Sequence, residues 1–146
     1  MVTDQEIRRI LQDTRTIAVV GASNKPERAS FQVMMALAAR GYHIFAVNPA
    51  LGGKYIEHIP VVSTLNDIDQ PIDIVDIFRN SEAAQEVVED ALALPVLPKT
   101  IWMQLGVINQ PAALKARHRG LSVVMDRCPK IELARLGING PGRNGS

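Results

Sequence analysis

The apolar residues of this chain fall into short continuous runs that alternate with segments of helical spacing. Continuous runs are typical of parallel strands covered on both faces, whereas helical spacing indicates helices that pack on a sheet by one side. The runs predict five strands, at residues 16–20, 43–48, 72–78, 100–105 and 122–127. The spacing predicts helices at residues 3–11, 30–40, 81–94 and 110–119.

Particular polar residues and a glycine predict where the first two helices begin or end. Thr3 and Glu6 have the spacing of a capping box, in which each side chain accepts a hydrogen bond from the other residue's backbone N–H. Ser30 is the predicted N-cap of the second helix, and Gly41 is its predicted stop.

This alternation predicts an α/β fold with an open, doubly wound, mostly parallel sheet of five strands and helices on both faces. Such sheets bind ligands at the carboxyl ends of their strands. The length of 146 residues suits one domain, so we expect residues 1–146 to form a single unit. Its core is expected at residues 16–136, and the Gly- and Asn-rich segment 137–146 is expected to be a mobile tail.

Composition narrows the expected partners and location. Lys and Arg total 16 and Asp and Glu total 15, so the formal net charge is +1 and no overall field favours nucleic acid or an anionic membrane. Uninterrupted apolar runs are too short for a membrane span. Cys128 is the only cysteine, which excludes an internal disulfide and a Cys-rich zinc site. With no pattern of a secretory signal, we predict a cytoplasmic protein.

The loop between the first strand and the second helix has the chemistry of a phosphate site. Gly21 lets the backbone approach a ligand closely, and Ser23 supplies a hydroxyl donor. The following helix N-terminus attracts anions, and Lys25 and Arg28 add two cations. The alternative is a solvated loop whose charges contact nothing.

Two further features of the sequence bear on the type of nucleotide. A dinucleotide fingerprint has three glycines in G-x-G-x-x-G, whereas this loop has one. The strand at 43–48 is followed by no carboxylate before Glu57, although such a group holds the ribose of NAD. Lys54 and Tyr55 follow instead and suit a phosphorylated ribose or an adenine edge, unless Gly52, Gly53 and Lys54 only form a turn.

Five short motifs resemble one family. They are Gly21-Ala22-Ser23, Val47-Asn48-Pro49, Asp76-Ile77-Phe78-Arg79, Trp102-Met103-Gln104-Leu105-Gly106 and Met125-Asp126-Arg127-Cys128-Pro129. The chain resembles, over residues 16–136, the stand-alone CoA-binding proteins of the YccU type. That family is related to the CoA-binding domain of the succinyl-CoA synthetase α subunit. The resemblance implies a Rossmann-like fold and coenzyme A as the cofactor.

The resemblance also implies a role for each matching residue. Gly21, Ala22 and Ser23 line the pyrophosphate, and Lys25 and Arg28 pair with the phosphates. The adenosine end is bordered by Val47, Asn48 and Pro49, its 3′-phosphate is within reach of Lys54, and Phe78 and Arg79 form a wall beside the ligand. The pantetheine arm is approached by Gln104 and Gly106.

Three of the predicted roles have structural alternatives. Phe78 is equally explained as core, and Arg79 as a helix cap or a partner of Glu82. Cys128 follows the fifth strand, with Arg127 and Lys130 near enough in sequence to stabilise a thiolate. We therefore hypothesise that the thiol of coenzyme A approaches Cys128 and forms a mixed disulfide under oxidising conditions. The alternative is a small buried residue before a proline.

Catalytic chemistry has little support in the sequence. His43, His58 and His118 have no spacing typical of a metal site or a relay, and Asp76 is explained as a hydrogen-bonded structural carboxylate. We interpret the chain as a non-catalytic module, a carrier or sensor, that binds coenzyme A or an acyl-CoA. The alternatives are a small enzyme using NAD(P) or a CoA thioester and, less favoured, a redox-sensing regulator. A homodimer through edge strands and an acyl-transferring partner enzyme are further expectations.

Overall fold

The computed structural model describes residues 2–142, which form one α/β unit. The helices are α1 (Asp4–Asp13), α2 (Ala29–Ala39), α3 (Ser81–Leu92), α4 (Gln110–His118) and α5 (Pro129–Leu136). The strands are β1 (Thr16–Val20), β2 (His43–Val47), β3 (Tyr55–Ile56), β4 (Ile59–Val62), β5 (Ile74–Ile77), β6 (Thr100–Met103) and β7 (Ser122–Val124). Short 3₁₀ turns cover Pro49–Leu51 and Leu65–Asp67.

The strands form one sheet in the order β3-β4-β2-β1-β5-β6-β7. Every neighbouring pair is parallel except the β3–β4 hairpin. From the central β1, the chain builds the sheet outward through β2 and then returns to add β5 on the other side. The predicted doubly wound architecture is therefore confirmed, and its topological switch point lies between β1 and β5.

The sheet has seven strands where the sequence predicts five. All five predicted strands are present, as β1, β2, β5, β6 and β7. The two extra strands, β3 and β4, lie in the segment predicted as a loop. They escape a pattern-based prediction because β3 has only two residues and β4 contains Pro60, a residue that argues against a strand inside a sheet. Pairing with β2, through Ala46↔Val61, holds β4 in the sheet.

Helix boundaries confirm part of the predicted capping. Thr3 and Glu6 form the capping box of α1, in which Thr3 Oγ1 accepts from Glu6 N at 3.1 Å. Gly41 follows the end of α2 with φ +100°, as predicted for a stop. The Ser30 N-cap is wrong: Arg28 occupies that position, and Ser30 is buried inside the first turn. Helix α5 is absent from the predicted elements.

Two apolar cores cover the two faces of the sheet. Helices α3 and α4 pack on one face through residues such as Val88 and Ala116. Helices α1, α2 and α5 pack on the other through residues such as Ile7, Met34 and Leu133. Helices on both faces are thus confirmed, and both ends of the strands are left open to other uses.

The segment after α5 is attached to the rest of the fold as far as the structure describes it. Ile138 is buried, and its carbonyl oxygen accepts from Arg40 Nη1 at 2.6 Å. Gly142 N donates to Gln12 O at 2.7 Å. Residues 143–146 of the predicted mobile tail lie outside the described residues. Between residues 2 and 142, no helix combines the length and apolar character that crossing a membrane requires.

The turns after β1 and β5 touch at a glycine. Gly21 has φ +88°, and a Cβ placed on it would overlap the carbonyl oxygen of Phe78. Phe78 N donates to Val20 O at 2.8 Å, so the ladder continues to the point of contact. A side chain at position 21 would push apart the two turns at the switch point.

We predict that Gly21→Ala lowers the free energy of unfolding by about 2–5 kcal/mol, because backbone strain adds to a clash with a rigid carbonyl group. Gly53→Ala is the matched control, since Gly53 has φ +84° and open space where a Cβ would lie. The control should lose only about 1–2 kcal/mol. Urea unfolding followed by Trp102 fluorescence measures both, and equal losses would contradict the contact.

Candidate functional site

A two-part cleft lies along the carboxyl ends of the parallel strands. The first part, the wide cavity, has about 860 Å³ and lies among the turns after β1, β2 and β4 and the side of α3. The second part, the narrow cavity, has about 500 Å³ and lies among the turns after β5 and β6 and the first turns of α2 and α5. Phe78 and Arg79 line both cavities. These two residues therefore form the junction of the cleft.

The wide cavity brings together several residues predicted from sequence. Its lining includes Gly21, Ala22, Val47, Asn48 and Pro49. These residues come from two separate turns, after β1 and after β2, which parallel pairing sets side by side.

Asn48 joins those two turns through its side chain. Its Nδ2 donates to Ala22 O at 2.8 Å, and its Oδ1 accepts from Ala50 N at 2.9 Å. Both ends of the amide thus have backbone partners, which fixes the floor of the wide cavity. The residue therefore shapes the site, and its amide keeps one further N–H and one further lone pair.

Arg79 is an exposed cation at the junction. Among residues 2–142 it forms no ion pair, so the alternative pairing with Glu82 is absent. Asn80 is the N-cap of α3 and accepts from Ala83 N at 2.7 Å, so Arg79 does not cap that helix either. Its guanidinium therefore lies exposed where the two cavities meet.

Phe78 lies between the core and the two cavities. Its ring is partly buried and packs against the core beneath α2, yet it also lines both cavities. The residue is a wall between the cleft and the core.

The narrow cavity is mainly apolar. Gln104 and Cys128 line it, together with Val33, Leu105, Val107 and Ile131. The first residue of α2, Ala29, and the N-cap of α3, Asn80, also line it. Elongated apolar groups with a few polar atoms fit such a lining.

Gln104 connects the narrow cavity to a buried acid. With its Nε2 toward β5, the amide donates to Asp76 at 3.2 Å from Oδ1 and 3.3 Å from Oδ2. Asp76 is fully buried, and desolvation raises its pKa well above 3.8. The interpretation of Asp76 as a hydrogen-bonded structural carboxyl group is consistent with this geometry.

Cys128 lies at the N-cap of α5 and is 5% exposed. The guanidinium of Arg127 points to Glu132 instead, at 2.9 Å from Nη1 to Oε1. Of the two cations suggested as thiolate partners, Lys130 is the one that also lines the narrow cavity. The mixed disulfide with coenzyme A stays a prediction.

Six predicted site residues do not line either cavity. They are Ser23, Lys25, Arg28, Lys54, Tyr55 and Gly106. The loop before α2 bonds within itself, since Lys25 N donates to Ser23 Oγ at 3.1 Å and Arg28 N to Lys25 O at 3.0 Å.

The other three are Lys54, Tyr55 and Gly106, which lie at the carboxyl ends of the strands or on the edge of the sheet. Lys54 is exposed, and Tyr55 is 69% exposed on the edge strand β3. Gly106 N donates to Asp126 Oδ1 at 2.7 Å, so its N–H already has a partner.

Sequence reasoning missed two parts of the cleft. Ser63 and Thr64 follow β4 and line the wide cavity. The signal for these two residues is that a polar pair follows the apolar run 59–62, but the pattern predicts no strand over that run. Lys130 and Ile131 line the narrow cavity from α5. Pro129 at the first helical position and Gly137 after the last turn would have revealed that helix.

The sequence matches the family described as "CoA binding domain" over residues 15–134. The chain belongs to the CoA binding domain family. This confirms the family resemblance, and the match spans all seven strands of the sheet.

Similar proteins support the same assignment. An uncharacterized protein from Bacillus subtilis, YneT, is 42% identical over 130 residues, which cover 86% of this chain and 90% of that one. A solved hypothetical protein from Pyrococcus horikoshii is 36% identical, with a TM-score of 0.84 and 92% of each chain covered. A solved Thermus thermophilus protein is 35% identical, with a TM-score of 0.86, covering 92% of this chain and 99% of that one.

A larger enzyme contains a similar fold. An acetyl-coenzyme A synthetase of Ca. Korarchaeum cryptofilum, solved with phosphate and ADP, is 20% identical with a TM-score of 0.64. The match covers 77% of this chain and 25% of that enzyme. Members of the CoA binding domain family thus have the fold of one part of a much longer protein.

The buried Asp76 predicts how stability depends on pH. Because its pKa is raised in the folded state, the folded protein keeps a proton that the unfolded chain releases above pH 3.8. Its contribution to stability is therefore complete at low pH and is lost as pH rises through the folded-state pKa. We predict that Asp76→Asn, which cannot titrate, becomes more stable relative to wild type between about pH 4 and pH 8. Urea unfolding measures this, and parallel pH profiles would contradict it.

Proposed function

We propose that this protein binds coenzyme A or an acyl-CoA along the whole cleft, as a non-catalytic carrier or sensor. The nucleotide would occupy the wide cavity, the pyrophosphate the junction, and the pantetheine arm the narrow cavity. The proposal rests on the family assignment together with the lining of the cleft, in which Arg79 lies between a cavity with several polar lining residues and a mainly apolar cavity that Lys130 also lines.

The observation that carries the proposal is the junction. Gly21 lies on one side of it without a Cβ, and the side chain of Arg79 passes close by, with its Cδ 3.2 Å from where that Cβ would be. An exposed guanidinium with no ion-pair partner among residues 2–142, beside a backbone turn, suits a diphosphate. The first turn of α2 adds a favourable dipole, since Ala29 lines the adjoining cavity.

Other residues extend the proposed contacts. Ser23, Lys25 and Arg28 belong to the exposed loop before α2, and we propose that this loop approaches the phosphates when the ligand binds. We also propose Lys54 and Tyr55 as partners of the adenosine end. They lie at the edge strand β3, outside the lining of the wide cavity.

Coenzyme A is favoured over NAD by the wide cavity. A carboxylate that would hold the ribose hydroxyls of NAD is missing from the sequence between the end of β2 and Glu57. The amide of Asn48 stands there instead, with one N–H donated to Ala22 O and one lone pair used by Ala50 N. An NAD-dependent enzyme is therefore disfavoured, whereas an enzyme that uses NADP or a CoA thioester stays the alternative.

A binding module should retain its ligand without consuming it. At coenzyme A concentrations about 100 times the Kd, we expect a Tm increase of about 5–10 °C, because ligand binds the folded state alone. NAD, NADP and ATP should give smaller shifts at equal concentration. Chromatography of coenzyme A and acetyl-CoA after incubation should recover both unchanged; consumption of either would favour the enzyme alternative.

Arg79 offers a direct test of the junction. We predict that Arg79→Ala weakens coenzyme A binding about tenfold or more, because a charge-assisted contact with the pyrophosphate is lost. The matched control is Arg9→Ala, an exposed cation on α1 away from the cleft. Isothermal titration calorimetry measures both, and equal affinities of the two variants would overturn the proposed diphosphate position.

A separate double variant tests the two cations of the exposed loop before α2. Lys25→Ala combined with Arg28→Ala should weaken coenzyme A binding and leave the Tm of the ligand-free protein nearly unchanged, since both side chains are exposed. Unchanged affinity would remove these two residues from the proposed site and leave Arg79 as its principal cation.

A further inference from the structure

Asp126, which follows β7, has an unusual backbone conformation. Its φ of +58° lies in the left-handed region, and within residues 2–142 Glu57, with φ +54°, is the one other non-glycine residue there. A Cβ makes this region unfavourable, although Asp enters it more readily than most residues do. Glycine would adopt the same conformation without strain but has no side-chain acceptor. The carboxylate is therefore what distinguishes Asp126 from the residue that this backbone favours.

That carboxylate bonds to the neighbouring turn. Asp126 Oδ1 accepts from Gly106 N at 2.7 Å, in the turn after β6. The next residue continues the connection, since Arg127 N donates to Met103 O at 3.3 Å and Arg127 O accepts from Trp102 Nε1 at 2.8 Å. Arg127 is thus held by β6 itself, whereas Asp126 holds the turn that follows this strand.

The two segments that this bond joins both line the narrow cavity. Leu105 and Val107 line it from the turn after β6, and Cys128 and Ile131 line it from the start of α5. Asp126 lies between the two segments in the hydrogen-bonded connection and lines neither cavity of the cleft. It can therefore affect a ligand there only through the positions of the segments that it joins.

We infer that Asp126 is a positioning residue whose bond to Gly106 N fixes the spacing of these two segments and so preorganises the narrow cavity for the pantetheine arm. The inference rests on the proposed function, which places the arm in that cavity. A preorganised site costs less to order when its ligand binds. Neither segment lines the wide cavity, so binding of the nucleotide half should not depend on Asp126.

The test removes the acceptor and keeps the backbone conformation. Asp126→Gly does both, since glycine enters the left-handed region freely. The turn after β6 stays anchored to α3 through Ile108 N, which donates to Ser81 Oγ at 3.0 Å, so the fold should persist. Calorimetry compares coenzyme A with 3′-phospho-ADP, which is the nucleotide half without the arm. We expect coenzyme A to bind the variant roughly three- to tenfold more weakly than wild type, and 3′-phospho-ADP to bind both equally.

Two further variants isolate the hydrogen bond. Asp126→Asn keeps an Oδ1 acceptor and a short side chain that tolerates the left-handed region, so its affinity for coenzyme A should stay within about twofold of wild type. Glu57→Gly is the matched backbone control, because Glu57 is exposed, lies in the β3–β4 hairpin and lines neither cavity. This control relieves the same kind of backbone strain and should keep wild-type affinities for both ligands.

Three results would contradict the inference. Equal losses for the two ligands with Asp126→Gly would make Asp126 a support of the whole fold, and an unchanged affinity for coenzyme A would remove it from the site. An Asp126→Asn variant as weak as Asp126→Gly would assign the effect to the charge instead of the hydrogen bond. Wild-type protein that binds neither ligand would overturn the proposed function itself, whereas the three results above leave that function standing.

Discussion

The contact between Gly21 and the carbonyl group of Phe78 sets the geometry of the cleft. It brings together the turns after β1 and β5, the two neighbouring strands at which the sheet changes its direction of growth. Only a residue without a Cβ lets these turns meet while the strands stay paired. With the turns together, Phe78 and Arg79 line both cavities, which therefore adjoin at these two residues. A local backbone constraint thereby defines the candidate site.

Around that contact, most polar side chains hold neighbouring turns and side chains in place. Asn48 ties two turns together by its amide, and Asp76 sets the orientation of Gln104 from within the core. In both places a polar side chain occupies a position that an apolar side chain could fill. Arg79 differs, because it is exposed and has no ion-pair partner among residues 2–142. The cleft thus combines an amide with fixed backbone partners and two exposed cations, Arg79 at the junction and Lys130 beside the narrow cavity.

Much of the fold is predictable from the sequence, because long apolar runs and helical spacing report burial directly. The hairpin of β3 and β4 is not, since β3 has only two residues, β4 contains Pro60, and β4 is held in the sheet by pairing with β2. The motifs at strand ends identify much of the cleft, since parallel pairing places those ends together. Which side chains line a cavity is not readable in this way: Lys25 and Arg28 have the right chemistry and position in the chain, yet they line neither cavity.

Hydrogen exchange with and without coenzyme A tests the central claim most directly, because it locates the ligand without altering the protein. The account predicts slower exchange at the turns after β1, β2, β5 and β6, with little change at the opposite ends of the same strands. Slower exchange confined to those opposite ends, or none at saturating coenzyme A, would contradict it.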